Sequence, residues 1–91
     1  MKQKFPLGKL VATPGALKAL EEAGQDGFEF LTRHSRGDWG DLEAEDKAEN
    51  EFAIERHLRI FSAYHLRNDT KIWVITEADR SATTILLPSE Y

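Results

Sequence analysis

Two polar clusters in this sequence have the composition of chemistry. The first is His34 with Asp38 and Trp39. Histidine is the side chain that titrates nearest neutral pH, so a histidine beside a carboxylate can serve as an acid–base pair. A spacing of four residues across a helix end could bring His34 to Asp38. The plainer reading is that His34 caps a helix C-terminus, Asp38 holds a turn and Trp39 plugs the edge of the core. The expectation adopted for Trp39 is partial exposure, or packing as a lid over the polar cluster.

The second cluster is Thr76-Glu77-Ala78-Asp79-Arg80-Ser81. A carboxylate, a guanidinium and hydroxyls at a strand end can hold phosphate, because arginine is always charged and forks onto oxyanions. The alternative is a turn in which Asp79 caps the backbone and Arg80 pairs with an acid on a helix. A basic strip adds Arg59, His65 and Arg67 around Phe61, all on one face of a strand by simple alternation, and this strip could hold a nucleic-acid backbone. The favoured reading is that it pairs with neighbouring acids, such as those of the third helix. His34, His65, Glu77 and Arg80 are thus the catalytic candidates. Asp38, Trp39, Arg59, Arg67, Asp79 and Arg80 are the binding candidates.

Other chemistries are not expected. The chain has no cysteine and only three histidines. These lack metal-ligand spacing, so neither a metal nor a cofactor is expected. There is no glycine-rich phosphate loop and no nucleophile elbow. At 91 residues the chain predicts a single domain spanning 1–91. Net charge is −4, which disfavours nonspecific adhesion to nucleic acid. No apolar run approaches the roughly 20 residues that span a bilayer, and no signal-peptide pattern opens the chain, so a cytoplasmic protein without membrane contact is expected.

The elements that must position these residues follow from periodicity. Leu58 to Leu66 alternates in polarity, as a strand does. Arg67-Asn68-Asp69-Thr70 reads as a hairpin loop. Lys71–Thr76 is β-branched and aromatic, and Thr83–Leu87 makes a third strand that Pro88 stops. Leu7 to Ala12 could add a short edge strand. Thr13-Pro14-Gly15 opens a helix that Gly24 closes. Asp26, with Glu29 completing a capping box, opens a second that runs to about His34 or Ser35. A third runs from about Glu43 to Glu55 behind an Asp41 cap, with Ala44, Ala48 and Phe52 as its apolar stripe. The prediction is an α+β domain, with N-terminal helices packed on one face of a C-terminal three- to four-stranded antiparallel meander. Its core is expected from Leu17, Leu20, Phe28, Leu31, Phe52, Ile60, Ile72, Val74, Ile85 and Leu87.

The stretches VATPGALKAL at 11–20, RHSRGDWGDL at 33–42 and IWVITEADRSATTILLPSEY at 72–91 resemble small uncharacterised bacterial proteins, often labelled plasmid-related or hypothetical. That resemblance covers nearly the whole chain and implies a protein of accessory or mobile DNA. The layout of helices followed by a meander also distantly resembles the barnase-like and toxin-type small ribonucleases. This second resemblance implies a Glu or Arg and a His on the sheet as acid and base. The loop after Ile75 offers Glu77, Asp79 and Arg80 but no histidine. The expectation is therefore a non-enzymatic accessory or interaction protein whose partner is another protein. The alternative is a metal-independent ribonuclease or other RNA- or DNA-binding module.

Overall fold

A computed structural model describes residues 2–91. The chain runs β1 (Lys9–Ala12), α1 (Pro14–Ala23), α2 (Gly27–Ser35), α3 (Ala44–Arg56), β2 (Ile60–His65), β3 (Lys71–Thr76), β4 (Ala82–Leu86) and a 3-10 turn (Pro88–Glu90). The fold is α+β: among the described residues, three α-helices accompany one four-stranded sheet of order β1-β4-β3-β2. The expected meander is present as β2-β3-β4, with antiparallel neighbours. The sheet as a whole is mixed, because β1 pairs parallel to β4. The helices do not lead the chain either, since β1 precedes them. Strand β1 reaches the far edge of the sheet, and its exit through α1 fixes its direction.

Local sequence explains the helix ends. Thr13 accepts a hydrogen bond from the Ala16 amide at 3.2 Å, Pro14 occupies the first turn, and Gly24 leaves in the left-handed conformation at φ 66°. Glu90 completes this cap from the other end of the chain. It meets the Thr13 hydroxyl at 2.5 Å and the Gly15 amide at 3.0 Å. These contacts hold its carboxyl below the usual range, the Thr13 hydroxyl foremost.

Asp26 caps α2 through the Phe28 amide at 2.9 Å. Glu29 does not return the bond a capping box requires and instead takes the Gln25 amide at 3.4 Å. Helix α3 starts behind Glu43, which makes no side-chain cap, and Asp41 is drawn away to His65. Glu45 and Asp46 in its first turn still suit the helix dipole.

The core lies between the helices and one sheet face. Ile60 and Tyr64 of β2, Ile72 and Val74 of β3 and Ile85 of β4 alternate into it, with Leu20 of α1 and Phe30 and Leu31 of α2 opposite. A second cluster gathers Phe5, Trp39, Ala53 and Ile60. Three expected core residues lie outside: Leu17 is 56% exposed, Phe28 63% and Phe52 50%. Helix α1 turns Ala16, Ala19 and Leu20 inward, α2 turns Phe30 and Leu31 inward, and α3 turns Asn50 and Ala53. Leu20 and Leu31 face the core as expected, while Leu17, Phe28 and the α3 stripe turn away from it.

The two sheet edges differ. On β2 the outward backbone groups of Phe61 and Ala63 are engaged. The Asn50 side chain accepts from the Phe61 amide at 3.1 Å and donates to its carbonyl at 2.6 Å. The Ala63 amide donates to Trp39 at 3.2 Å, and its carbonyl accepts from Asp41 at 2.7 Å. On β1 the parallel ladder uses alternate residues: Lys9 donates to Ser81 and Thr13 to Ile85. Leu10 and Ala12 therefore present their amides and carbonyls away from the sheet.

Truncating Ile72 to alanine is expected to lower unfolding free energy by about 2–5 kcal/mol, whereas Leu17→Ala should fall within about 0.5 kcal/mol of the parent. Urea denaturation of both variants checks the assignment. Equal losses would contradict the orientation of α1.

Candidate functional site

His34 is the most constrained titratable group in the molecule. It is fully buried at the C-terminal end of α2. Nδ1 lies 2.5 Å from the Ser62 hydroxyl, and Nε2 lies 2.9 Å from the Thr76 hydroxyl. Thr76 meets Thr83 at 2.7 Å, and Thr83 donates to the Leu7 carbonyl at 2.7 Å. Proton counting fixes the order. A carbonyl only accepts, so the Thr83 proton goes to Leu7. Thr76 must then donate to Thr83 and accept from His34 Nε2–H. Nδ1 is left as the acceptor of the Ser62 proton. This order holds for the neutral ring, the form that burial favours, and it uses both nitrogens.

Phe5 and Trp39 meet the ring edge-on at 5.3 and 5.8 Å. Burial in these surroundings pushes the His34 pKa down to about 3. An imidazole with no free nitrogen and no path to solvent cannot act as a general base.

Asp38 does not join His34. It turns outward to Arg33, with 2.6 and 3.4 Å contacts, and this guanidinium holds its carboxyl below the usual range. The Asp38 carbonyl instead accepts from the Tyr64 hydroxyl at 2.6 Å. Trp39 is neither exposed nor a lid. It is 4% exposed, stacks on Phe5 at 6.1 Å, and donates its indole N–H to Glu51 at 3.0 Å. The turn can bury it because Gly40 adopts φ 74°, and any Cβ there would strike the Ala63 carbonyl and the Tyr64 ring.

Arg80 also turns inward. Its Nη1 donates to the carbonyls of Leu58 at 2.7 Å, Ala78 at 3.0 Å and Glu77 at 3.1 Å, and its Nη2 donates to Ala53 at 2.9 Å. The guanidinium satisfies the C-terminal carbonyls of α3 and ties them to the β3–β4 hairpin. Its backbone sits at φ 62°, the left-handed position of that turn. The expected ion pair with an α3 acid is replaced by these carbonyl contacts. Asp79 caps the same turn through the Ser81 amide at 3.0 Å, and the Ser81 side chain leads in lowering its pKa.

The remaining candidates are exposed and dispersed. Glu77 lies 3.8 Å from Arg59, and Arg59 donates to the Tyr91 hydroxyl at 2.7 Å. His65 pairs with Asp41 at 2.7 Å. Arg67 lies in the β2–β3 turn, where its backbone amide donates to Gln25 at 2.8 Å. The register places Ile60 opposite Thr76 and His65 opposite Lys71, so His65 and Glu77 lie toward opposite ends of the β2–β3 ladder. The sheet does not gather His65, Glu77 and Arg80 around one reacting atom.

Two features escaped the periodicity argument. One is Asn50, whose only signal was a poor helix former placed mid-helix. The other is a groove of about 200 Å³ beside β1, lined by Leu10, Val11, Leu17, Leu20, Phe28 and Leu31 among others. Its signal was the apolar excess of α1 and α2 over what one face can bury. Comparison of the chain with protein-family models, curated proteins and solved structures finds no match.

Two outcomes follow from these assignments. Removing the clamp in Arg80→Ala should cost about 1–3 kcal/mol in urea denaturation, because several part-buried carbonyls lose a charged donor. An unchanged midpoint would contradict the clamp. His34 has a folded pKa of about 3 against an unfolded value of 6.5, so the unfolded chain binds the proton first. Stability from this group is complete above about pH 6.5 and falls as pH drops toward 3, by on the order of 5 kcal/mol in all. Imidazole C–H signals of His34 should stay unshifted between pH 7 and 5; titration in that window would contradict the buried neutral ring.

Proposed function

We propose that this protein is a non-enzymatic interaction protein that takes an extended segment of another protein onto the free edge of β1. One observation carries the reading. Leu10, Val11, Leu17 and Phe28 are 40–63% exposed and gather in a single groove beside β1, an edge strand of the sheet whose outward amides and carbonyls have no partner among the described residues. A segment laid against β1 would hydrogen-bond to Leu10 and Ala12, and its alternate side chains would enter the groove. Backbone pairing supplies affinity, and the apolar groove supplies selectivity. The resemblance to plasmid-related bacterial proteins suggests the setting: the cytoplasm of a bacterium carrying accessory DNA.

The catalytic alternative has less support. A ribonuclease needs an acid and a base converging on one phosphate. Here His34 is sealed, Arg80 is spent on carbonyls, and His65 stands apart from Glu77.

The reading is tested with extended peptides selected on the protein from a random display library. Bound peptide should slow hydrogen exchange at the Leu10 and Ala12 amides. Leu17→Glu and Phe28→Glu should abolish binding while the melting temperature holds, since both side chains are exposed. Peptides that bind without protecting β1, or that tolerate both substitutions, would overturn it.

A further inference from the structure

The opposite sheet face carries a second opening, separate from the β1 groove. Phe61, Trp73, Ile75 and Tyr91 wall a slot of about 280 Å³, with Arg59 at its rim. The rings are fixed at steep angles. Phe61 meets Trp73 at 5.1 Å and 87°, and Tyr91 meets Trp73 at 5.7 Å and 73°. Such a slot lies just below the range of about 300–1,000 Å³ typical of small-molecule sites, so it suits one or two fused rings. Aromatic walls at these angles offer both faces and edges to a planar guest.

One polar observation specifies that guest further: Arg59 contributes the charge. Its guanidinium lies over the Tyr91 ring at 5.5 Å and gives one hydrogen bond to the Tyr91 hydroxyl. Its one carboxylate partner among the described residues, Glu77, stands at a loose 3.8 Å, so donors remain for an anion.

We propose that this slot binds a planar aromatic ring carrying an anionic group, with the ring against the wall formed by Phe61, Trp73 and Tyr91 and the anion on Arg59. Aromatic carboxylates and mononucleotides share this chemistry.

The test uses the indole N–H resonances in a ¹⁵N-labelled sample, assigned with Trp73→Phe. Indole-3-acetate, adenosine monophosphate and neutral indole are titrated separately. A saturable shift of the Trp73 signal is expected with at least one of the two anions, while Trp39, buried in the second core cluster, stays unmoved. Arg59→Gln should weaken that binding at least tenfold, or about 1.4 kcal/mol. A response to the carboxylate alone or the nucleotide alone identifies the source, and a response to both supports the shared chemistry. No shift with either anion up to millimolar concentration would overturn the proposal. So would equal affinity for neutral indole, or binding that survives Arg59→Gln unchanged.

Discussion

The fold is organised around a neutral imidazole in a dry interior. Burying a polar ring without partners is costly, so each nitrogen of His34 must find one. Ser62 and Thr76 supply them from adjacent strands, and Thr83 and Leu7 pass the requirement on to β4 and the N-terminal segment. Each hydroxyl has one proton to give, so the chain has one consistent direction. A shift of register by one residue in β2 or β3 would send Ser62 or Thr76 to the other face and orphan the ring. The polar relay therefore specifies strand alignment as well as packing. Phe5 and Trp39 keep water from relieving the constraint.

Backbone groups outside the ladders are served by side chains acting at long range in sequence. Asn50 stands in for a strand opposite Phe61. Arg80 gathers the carbonyl ends of α3 and the hairpin, and Glu90 feeds the amide end of α1. All three are polar residues that a surface reading would assign to solvent. Their work is to let helices end against a small core without stranded donors or acceptors.

Much of the frame was legible in the sequence, and much of the site was not. Thr13, Pro14 and Gly24 marked α1 because capping is a local interaction with its own residue types. The alternation from Ile60 to His65 and the run Lys71–Thr76 marked the meander for the same reason. Asp69 at φ 68° fits the hairpin loop expected of Asn68-Asp69. Arg80 was misleading because its acceptors are the carbonyls of Ala53 and Leu58, and carbonyls leave no trace in residue identity. Asp41 satisfied the pattern of a cap yet was taken by His65, a partner from a distant strand. Leu17, Phe28 and Phe52 showed that hydrophobicity reports what a helix can bury, while contacts with the sheet decide which way it turns. Parallel pairing of β1 was hidden, since strand direction depends on where the chain returns.

The inequality of the two sheet edges bears on self-association. Open-ended stacking of sheets into a filament requires every copy to offer two receptive sides, one to accept the previous copy and one to seed the next. Here Asn50 and the Trp39–Asp41 turn occupy Phe61 and Ala63 on the β2 side. A strand added at β1 meets a molecule whose opposite edge is already paired over most of its length. Growth by edge pairing is disfavoured after a single event, so exposing one adhesive strand carries less of the polymerisation hazard that such a strand normally brings.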